Sequence, residues 1–282
     1  MTALDAYRPL RQAAEERWRV LAEPSIPVFR VAVATCSKAA GAGETLAAIR
    51  EELARRGQEA LVLEVGCPGL CFADPVVDVH LPGYPRVLYG PVRSQDVPRL
   101  LEAILGPQKA LPELALGMIP EEGIPPAAYQ GTSMGNLPLL QETDWMRLQV
   151  RRLMANVGII EPANAEHYIA RGGYEALARA LDMTPEEVIK EVLDAGLWGR
   201  GGAAFPTGRK WDFLRQARVT PKYLICNADE GDPGSFVNRN LLEGDPHLII
   251  EGMAIAAWAT GATRGYIYIR DEYPLAVQRM QE

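Results

Sequence analysis

The amino-acid sequence predicts an α/β protein made of two parts. Between residues 28 and 105, short β-rich runs alternate with amphipathic helical segments, a pattern typical of a compact unit with a mixed sheet. Between residues 219 and 270, a strand, a long apolar helix and a second strand fit a right-handed parallel unit. Residues 107–142 contain six prolines and no sustained periodicity, so we interpret them as a linker or extended arm.

The first part begins with a helix and continues as strands and helices in alternation. Residues 1–22 have apolar side chains at helical spacing, and Pro24 and Pro27 end this helix. The run VFRVAVA that follows is rich in β-branched residues and predicts a strand. The predicted strands are residues 28–34, 60–65, 76–81 and 86–89, and the predicted helices are residues 43–56 and 97–105, the latter with Asp96 as N-cap.

The second part is predicted to be mainly helical, with two strands near its end. Thr184, Pro185 and Glu187 form the capping-box pattern that starts a helix. We expect helices over residues 162–171, 174–181 and 184–195, then a glycine-rich segment, a strand within residues 219–227, a helix over 246–260 and a strand over 266–270.

Composition and charge exclude several classes of protein. Of the 282 residues, 48% are hydrophobic and 23% are charged, which is ordinary for a globular protein with a buried core. The net charge of −7 argues against a nucleic-acid-binding protein, whose surface is usually basic. The amino terminus lacks the apolar core of a secretory signal. Glu251 interrupts the longest apolar run, residues 248–262, which stays below the roughly 18 residues that a membrane helix needs. We therefore expect a cytoplasmic protein without direct membrane insertion.

A glycine-rich segment, residues 199–211, has the features of a phosphate cradle. Its glycines allow the backbone to turn sharply and to approach a ligand closely. Arg200, Arg209 and Lys210 add positive charge, and Thr207 is a plausible cap for a helix whose free amides favour an anion. The segment is neither a Walker A motif nor a Rossmann fingerprint. The alternative interpretation is a glycine-rich surface loop.

A second segment, residues 227–236, follows a predicted strand directly. Ligands of open α/β sheets bind just outside the carboxyl ends of the strands. Asp229, Glu230 and Asp232 repel one another, so we expect them to accept hydrogen bonds from sugar hydroxyls or to bind a cation. The alternative is a solvated acidic turn, because its glycines and proline fit a turn whatever its function.

The cysteines predict a metal site in the first part. Cys67 and Cys71 lie in a loop after one strand, and Cys36 follows another strand, so the three thiols can meet at one edge of the sheet. Three thiols are one ligand short of the four that an iron–sulfur cluster takes. The alternative is a domain that retains cysteines without holding iron, and Cys226 is expected to be a buried core thiol.

Several separate motifs together resemble one protein family. GRGGAAFPTGRKW, ICNADEGDPGSF, NLLEGDPHLIIEGM and GYIYIRDEYP are similar, in this order, to the NADH-binding FMN flavoprotein subunit of respiratory complex I, NAD-dependent hydrogenases and NAD-dependent formate dehydrogenases. Residues 28–105 resemble the thioredoxin-like [2Fe–2S] ferredoxin domain that often precedes this subunit. The fold class implied is a thioredoxin-like domain, a linker and the amino-terminal part of a Rossmann-like FMN/NADH-binding domain.

The resemblance implies a role for each motif residue. Asp232 matches an acidic position near the NADH ribose, where an anion repels a 2′-phosphate, so NADH is expected over NADPH. Phe205 and Phe213 match aromatic residues that stack on the dinucleotide. The positions around the FMN phosphate and ribityl chain are Gly199, Arg200, Gly201, Gly202 and Lys210, and those on the polar side of the flavin are Asn227, Asp229 and Glu230.

The chain departs from the family pattern at two positions. Ala204 stands where a glycine is usual, and Val31 stands where the first cluster cysteine is usual, which leaves Cys36, Cys67 and Cys71 as an incomplete [2Fe–2S] set. Family members continue beyond the counterpart of Glu282 through the rest of the flavin domain to a [4Fe–4S] region, so we expect an incomplete flavin domain. The expected organisation is an N-terminal helix in residues 1–25, a ferredoxin-like domain in 26–108, a linker in 109–145 and the FMN/NADH domain in 146–282.

The function implied is that of an NADH:acceptor oxidoreductase subunit. Hydride passes from NADH to FMN, and electrons then leave through Fe–S centres. The implied partners are the other subunits of such a complex, whether ferredoxin-like, hydrogenase, formate dehydrogenase or complex I subunits, which can hold the chain at the inner face of a membrane. The alternative is a non-catalytic assembly or scaffold module that holds no cofactor.

Overall fold

The computed structural model describes residues 1–120, 134–232 and 234–282, which form two compact units. The predicted linker, residues 109–145, includes residues 121–133, which lie outside the described residues. The first unit comprises Met1–Arg17, Ala163–Leu242 and Pro246–Glu282, and the second comprises Trp18–Pro162 and Glu243–Asp245.

The second unit is built on one mixed five-stranded sheet. Its strand order is β2-β1-β3-β4-β5, in which β1 and β2 are parallel and the other pairs are antiparallel. This is the strand arrangement of a thioredoxin-like domain, so the predicted fold class of this part is confirmed. The elements are β1 (Val28–Ala32), α2 (Thr35–Ala39), α3 (Ala42–Arg55), β2 (Leu61–Val65), β3 (Val77–His80), β4 (Arg86–Tyr89), α4 (Val97–Leu105) and β5 (Ala115–Ile119).

Alternation along the strands explains how this sheet buries its core. Successive side chains of a strand point to opposite faces, so Phe29 and Val31 of β1 share the face that packs against Ile49 of α3 and Leu100 of α4. The opposite face contains a buried polar group, with Asp78 paired to Arg86 on the neighbouring strand. A buried charge pair of this kind is stable only while both partners are present.

Strand β5 corrects the interpretation of residues 107–142 as a linker or extended arm. It pairs with β4 in the antiparallel direction and forms an edge of the sheet. Its sequence, ALGMI, is apolar but is bounded by Pro112 and Pro120, which made the whole stretch resemble a linker. The prolines lie outside the strand, where they do not remove a ladder hydrogen bond.

The first unit contains a two-stranded parallel sheet with helices around it. The strands β6 and β7 pair in the parallel direction, as predicted, and α10 packs against both. Helices α9 and α11, like α2, were not predicted. The elements are α5 (Ala165–Ala170), α6 (Glu175–Leu181), α7 (Pro185–Asp194), α8 (Thr207–Gln216), β6 (Tyr223–Ala228), α10 (Pro246–Thr260), β7 (Arg264–Ile269) and α11 (Pro274–Gln281). Two further helices lie mostly in this unit, α1 (Ala3–Ala22) and α9 (Val237–Gly244), and their last residues belong to the second unit.

The amino-terminal ends of α1 and α7 are fixed by side chains that accept backbone hydrogen bonds. The capping box predicted at α7 is confirmed, because the Thr184 hydroxyl and the Glu187 carboxylate each accept the other residue's amide. Asp182 accepts the amides of Ala3 and Leu4 at the start of α1. The Asp96 side chain, predicted to cap α4, instead accepts the amide of Arg93.

No helix among the described residues is long and apolar enough to cross a membrane.

Candidate functional site

The glycine-rich segment forms a short loop that is closed at its base. Trp198 and Pro206 make an antiparallel bridge, the Gly199 amide donates to the Phe205 carbonyl at 2.9 Å, and the Thr207 amide donates to the Leu197 carbonyl at 2.9 Å. We call residues 199–206 the glycine-rich loop. Its tip, residues 200–205, is exposed. The segment is therefore a loop whose base is held by backbone hydrogen bonds and whose tip is exposed to solvent.

Backbone conformation in the tip explains the need for small residues. Gly202 has φ of +99°, a value that residues with a Cβ rarely adopt. Ala204 has φ of 49°, in the left-handed region that favours glycine. No described atom lies within 4 Å of a Cβ built on Gly201 or Gly202, so the space beside this backbone is open.

Helix α8 begins directly after the loop. Thr207, predicted to cap it, is its first residue, and Pro206 occupies the N-cap position without a side-chain hydrogen bond. The first amides of a helix have no partner within it and attract anions. Arg200 in the loop and Lys210 in the first turn are both exposed. Three exposed cations, Arg200, Arg209 and Lys210, therefore lie close in sequence to the start of the helix.

Tight packing on α7 fixes the start of α8. A Cβ added at Gly208 would lie 2.6 Å from Cγ of Leu193 and 3.0 Å from its backbone nitrogen. Gly208 is therefore required by helix packing, a role that the sequence did not reveal. The rings of Phe205 and Phe213, predicted to stack on a dinucleotide, are brought together with centroids 6.1 Å apart, and both are partly exposed.

The predicted acidic segment follows β6 at its carboxyl end. Asn227, Asp229 and Asp232 are exposed. The Asn227 side-chain oxygen accepts the Asp229 amide at 3.0 Å, and the Asp232 carboxylate accepts the Gly234 amide at 2.9 Å. These hydrogen bonds shape the turn and leave other carboxylate oxygen atoms facing solvent. Both β6 and α8 pack against α10, so the two motifs share a supporting helix.

Glu230 differs from its acidic neighbours. Its side chain is buried, and its carboxylate accepts the amides of Asn238 at 3.0 Å and Arg239 at 3.2 Å, at the start of α9. A carboxylate at this position satisfies orphan amides and interacts favourably with the helix dipole. In this structure Glu230 is therefore engaged by its own protein rather than directed to solvent.

The second unit brings the three predicted cysteines together. The sulfur atoms of Cys67 and Cys71 are 3.7 Å apart, and those of Cys71 and Cys36 are 3.5 Å apart. Asp74, which sequence reasoning did not single out, joins them with a carboxylate oxygen 4.0 Å from the Cys67 sulfur. The available signal was an acidic residue three positions after Cys71. Cys226, expected to be buried, is only partly buried in the first unit.

Burial shifts the protonation of this cluster. Burial, reinforced by the nearby Cys36 thiol, raises the pKa of Asp74 to about 8. Hydrogen bonding with the Cys36 and Cys71 thiols, together with burial, raises the pKa of Cys67 above its usual value. Both shifts favour neutral groups while no cation is bound, because negative charges so close together repel one another.

Comparison with known proteins connects the first unit to one family. Residues 192–282 match the family model described as the Nuo51 FMN-binding domain. The chain is 53% identical over 134 residues to the HndC subunit of the NADP-reducing hydrogenase of Solidesulfovibrio fructosivorans, covering 48% of this chain and 27% of that protein. It is 50% identical over 131 residues to an NADH-quinone oxidoreductase subunit of Rhizobium meliloti (strain 1021), covering 46% and 31%. The resemblance predicted from the motifs is confirmed.

Solved structures give weaker likenesses. An NAD⁺-reducing [NiFe]-hydrogenase in the H2-reduced state aligns with 99% of this chain and 47% of its own, at 22% identity and a TM-score of 0.38. A thioredoxin-like [2Fe–2S] ferredoxin variant from Aquifex aeolicus aligns with 32% of this chain and 96% of its own, at 23% identity and a TM-score of 0.29. These scores are low, so the fold assignment rests on the strand topology. The chain spans about a quarter to a third of the length of the curated relatives named above.

Proposed function

We propose that the segment matching the Nuo51 FMN-binding domain, residues 192–282, binds FMN and uses it to oxidise NADH within a multisubunit redox complex. One observation carries this proposal: inside the matched range, an exposed glycine-rich loop with flanking cations leads directly into the first turn of α8. Helix amino termini and nearby cations are common partners of a phosphate group.

The glycine-rich loop fits a phosphate-bearing ligand. The open space beside Gly201 and Gly202 lets a ligand approach the backbone without meeting a side chain. Arg200 and Lys210 neutralise the phosphate charge, while Gly199 holds the loop closed, since its amide is already bonded to Phe205. The ligand therefore binds across the tip of the loop, above the start of α8.

The turn after β6 supplies the polar groups for the rest of the flavin nucleotide. Asn227 and Asp229 are exposed at the carboxyl end of the strand, where the Asn227 side-chain amide donates hydrogen bonds to a ligand and the Asp229 carboxylate accepts them. Glu230 acts indirectly. By capping α9, it holds the turn that contains Asn227 and Asp229. We therefore assign Glu230 to positioning rather than to direct contact.

The aromatic pair and Asp232 serve the nicotinamide nucleotide. Phe205 and Phe213 offer exposed rings on which a planar base stacks. The exposed Asp232 carboxylate accepts a hydrogen bond from a ribose hydroxyl and repels a 2′-phosphate, which favours NADH.

When bound, FMN would supply the redox chemistry, which is acceptance of a hydride and release of single electrons. The residues of this chain bind FMN and the nicotinamide nucleotide and orient their rings toward each other. No side chain is needed as an acid or base, because orientation of two stacked rings provides the main catalytic benefit. The electrons would pass to Fe–S centres on this chain or on partner subunits of the complex, which we propose to be of the hydrogenase, formate dehydrogenase or complex I type.

Anaerobic reduction tests this function. The purified full chain is loaded with FMN, freed of excess flavin by gel filtration, and mixed with NADH or NADPH without oxygen. We expect NADH to bleach the visible flavin absorption more rapidly than NADPH does. In Asp232→Ala, we expect the two nucleotides to differ less in the rate at which they reduce the flavin. Bound flavin that NADH leaves oxidised contradicts the oxidoreductase role. A chain that retains no flavin at all favours the scaffold module.

A further inference from the structure

Four side chains of the second unit whose types commonly bind metal ions converge on one point. The cluster consists of Cys36, Cys67, Cys71 and Asp74, and we call it the thiol–carboxylate cluster. One donor atom from each residue lies within 4.8 Å of all the others. Cys36 comes from α2, and the other three come from the loop between β2 and β3, so two separate chain segments meet here. The cluster includes none of the residues assigned above to the flavin or the nicotinamide nucleotide.

The carboxylate of Asp74 is incompletely satisfied. Its Oδ1 atom is buried and makes no hydrogen bond of good geometry with a described residue, although the Val76 amide and the Cys36 thiol lie near the carboxyl group, and Oδ2 faces the Cys67 sulfur at 4.0 Å. An unsatisfied buried oxygen is costly, so it indicates a partner that the protein itself does not provide. The Gly69 amide donates to the Cys67 sulfur at 3.4 Å, which favours a negatively charged sulfur. A cation bound by both groups resolves the cost.

The spacing of the donors distinguishes one ion from two. Tetrahedral Zn²⁺ with Zn–S bonds of about 2.3 Å requires ligand atoms about 3.8 Å apart, since a tetrahedron's edge is √(8/3) times its centre-to-vertex distance. The two sulfur–sulfur separations, 3.5 and 3.7 Å, lie close to this value, and all four donor atoms lie within 4.8 Å of one another. A [2Fe–2S] cluster divides four ligands between two irons, so ligands of different irons are farther apart than one tetrahedral edge. The compact cluster fits a single ion better.

We propose that Asp74 completes a four-ligand site in which the thiol–carboxylate cluster binds one Zn²⁺ ion. Four protein ligands leave no open position, which is typical of a structural zinc site. The ion ties the loop after β2 to the start of α2. Arg151, which interacts electrostatically with Cys67, offsets part of the net negative charge of three thiolates, one carboxylate and Zn²⁺.

Metal content and cobalt spectroscopy test this site. The full chain is produced in medium containing both zinc and iron, purified anaerobically, and analysed for zinc, iron and acid-labile sulfide. We expect one zinc per chain and no stoichiometric iron or sulfide. Replacement of zinc by Co²⁺ should give thiolate-to-cobalt charge-transfer bands and the intense d–d bands of a tetrahedral complex. Two irons and two sulfides per chain, or no bound metal, overturns the proposal.

Variants identify the fourth ligand. Asp74→Ala should weaken Co²⁺ binding at least tenfold, and Asp74→Cys should retain one ion with stronger charge-transfer absorption. Asp144→Ala is the matched control, because it removes an exposed carboxylate of the same unit. This variant should bind Co²⁺ with the same affinity as the unaltered chain. Equal Co²⁺ affinity of Asp74→Ala and Asp144→Ala contradicts ligation by Asp74. Should Asp74→Ala fail to fold, an unchanged cobalt spectrum in Asp74→Cys contradicts it equally.

Discussion

At the residue scale, Lys210 provides the most direct test of the phosphate cradle. We expect Lys210→Ala to weaken FMN binding about tenfold or more, because a hydrogen bond to a charged group contributes roughly 1.5–3 kcal/mol. Binding of riboflavin, which lacks the phosphate, should be unchanged. Equilibrium dialysis measures both affinities. Lys190→Ala, on the exposed side of α7, is the control, and equal FMN affinity of the two variants contradicts the role of Lys210.

Ala204 carries backbone strain that a glycine would relieve. A residue with a Cβ pays about 1–2 kcal/mol in the left-handed region, whereas glycine pays about 0.5–1 kcal/mol in extra backbone entropy. Ala204→Gly should therefore raise the free energy of unfolding by roughly 0.5 kcal/mol. Urea denaturation measures the change. Ala203→Gly is the control: Ala203 is not among the residues with positive φ, so its substitution should lower stability.

We predict that His80 makes the folded protein less stable in acid. Burial, aided by Arg30 and Arg86, lowers the pKa of His80 to about 4 from an ordinary value near 6.5. Between these values the unfolded chain binds a proton that the folded chain excludes, so stability is complete above pH 6.5 and falls as the pH approaches 4. The effect is on the order of 3 kcal/mol. Unfolding free energies measured across this range should show a smaller decrease in His80→Gln, and an identical decrease would be inconsistent with this account.

At the scale of elements, Glu251 joins α10 to α6. Its buried carboxylate accepts the amides of Tyr174 at 2.8 Å and Leu177 at 3.0 Å, and also the Tyr168 hydroxyl. The sequence predicted only that Glu251 interrupts an apolar helix. Its partners could not be predicted, because they lie more than 70 positions away in the chain.

Removal of this carboxylate should loosen the two helices. Glu251→Ala leaves several buried donors without an acceptor, so we expect a loss of about 2–4 kcal/mol in the free energy of unfolding. Glu251→Gln keeps one acceptor oxygen and should lose less. Glu191→Ala, at an exposed glutamate of α7, should be nearly neutral. Thermal or urea unfolding ranks the three variants, and a neutral Glu251→Ala would refute the anchoring role.

Sequence patterns predicted the elements whose signals are local. The capping box of α7 and the β-rich run of β1 were recognised from neighbouring residues alone. Strand β5 was missed because flanking prolines dominate its short apolar run, and only pairing with β4 identifies it. Asp74 and the buried orientation of Glu230 were missed for the same reason: burial and partners brought by the fold are not visible in spacing.

At the scale of the whole molecule, the net charge of the chain is negative, whereas the glycine-rich loop and the first turn of α8 carry positive charge. The chain carries a net charge of −7, while FMN and NADH are both anions, so long-range electrostatics do not attract them. Binding therefore depends on cations within a few ångströms of the phosphate, where screening is weak. The FMN recognition proposed above therefore depends on the glycine-rich loop and the first turn of α8, and not on the overall charge.

A comparison of FMN with riboflavin in one titration of the full chain tests this claim most directly. We expect one FMN per chain and riboflavin binding at least tenfold weaker, because riboflavin offers no phosphate to the loop and to Lys210. Quenching of flavin fluorescence measures both. Equal affinities, or the absence of a saturable FMN site, would contradict the account.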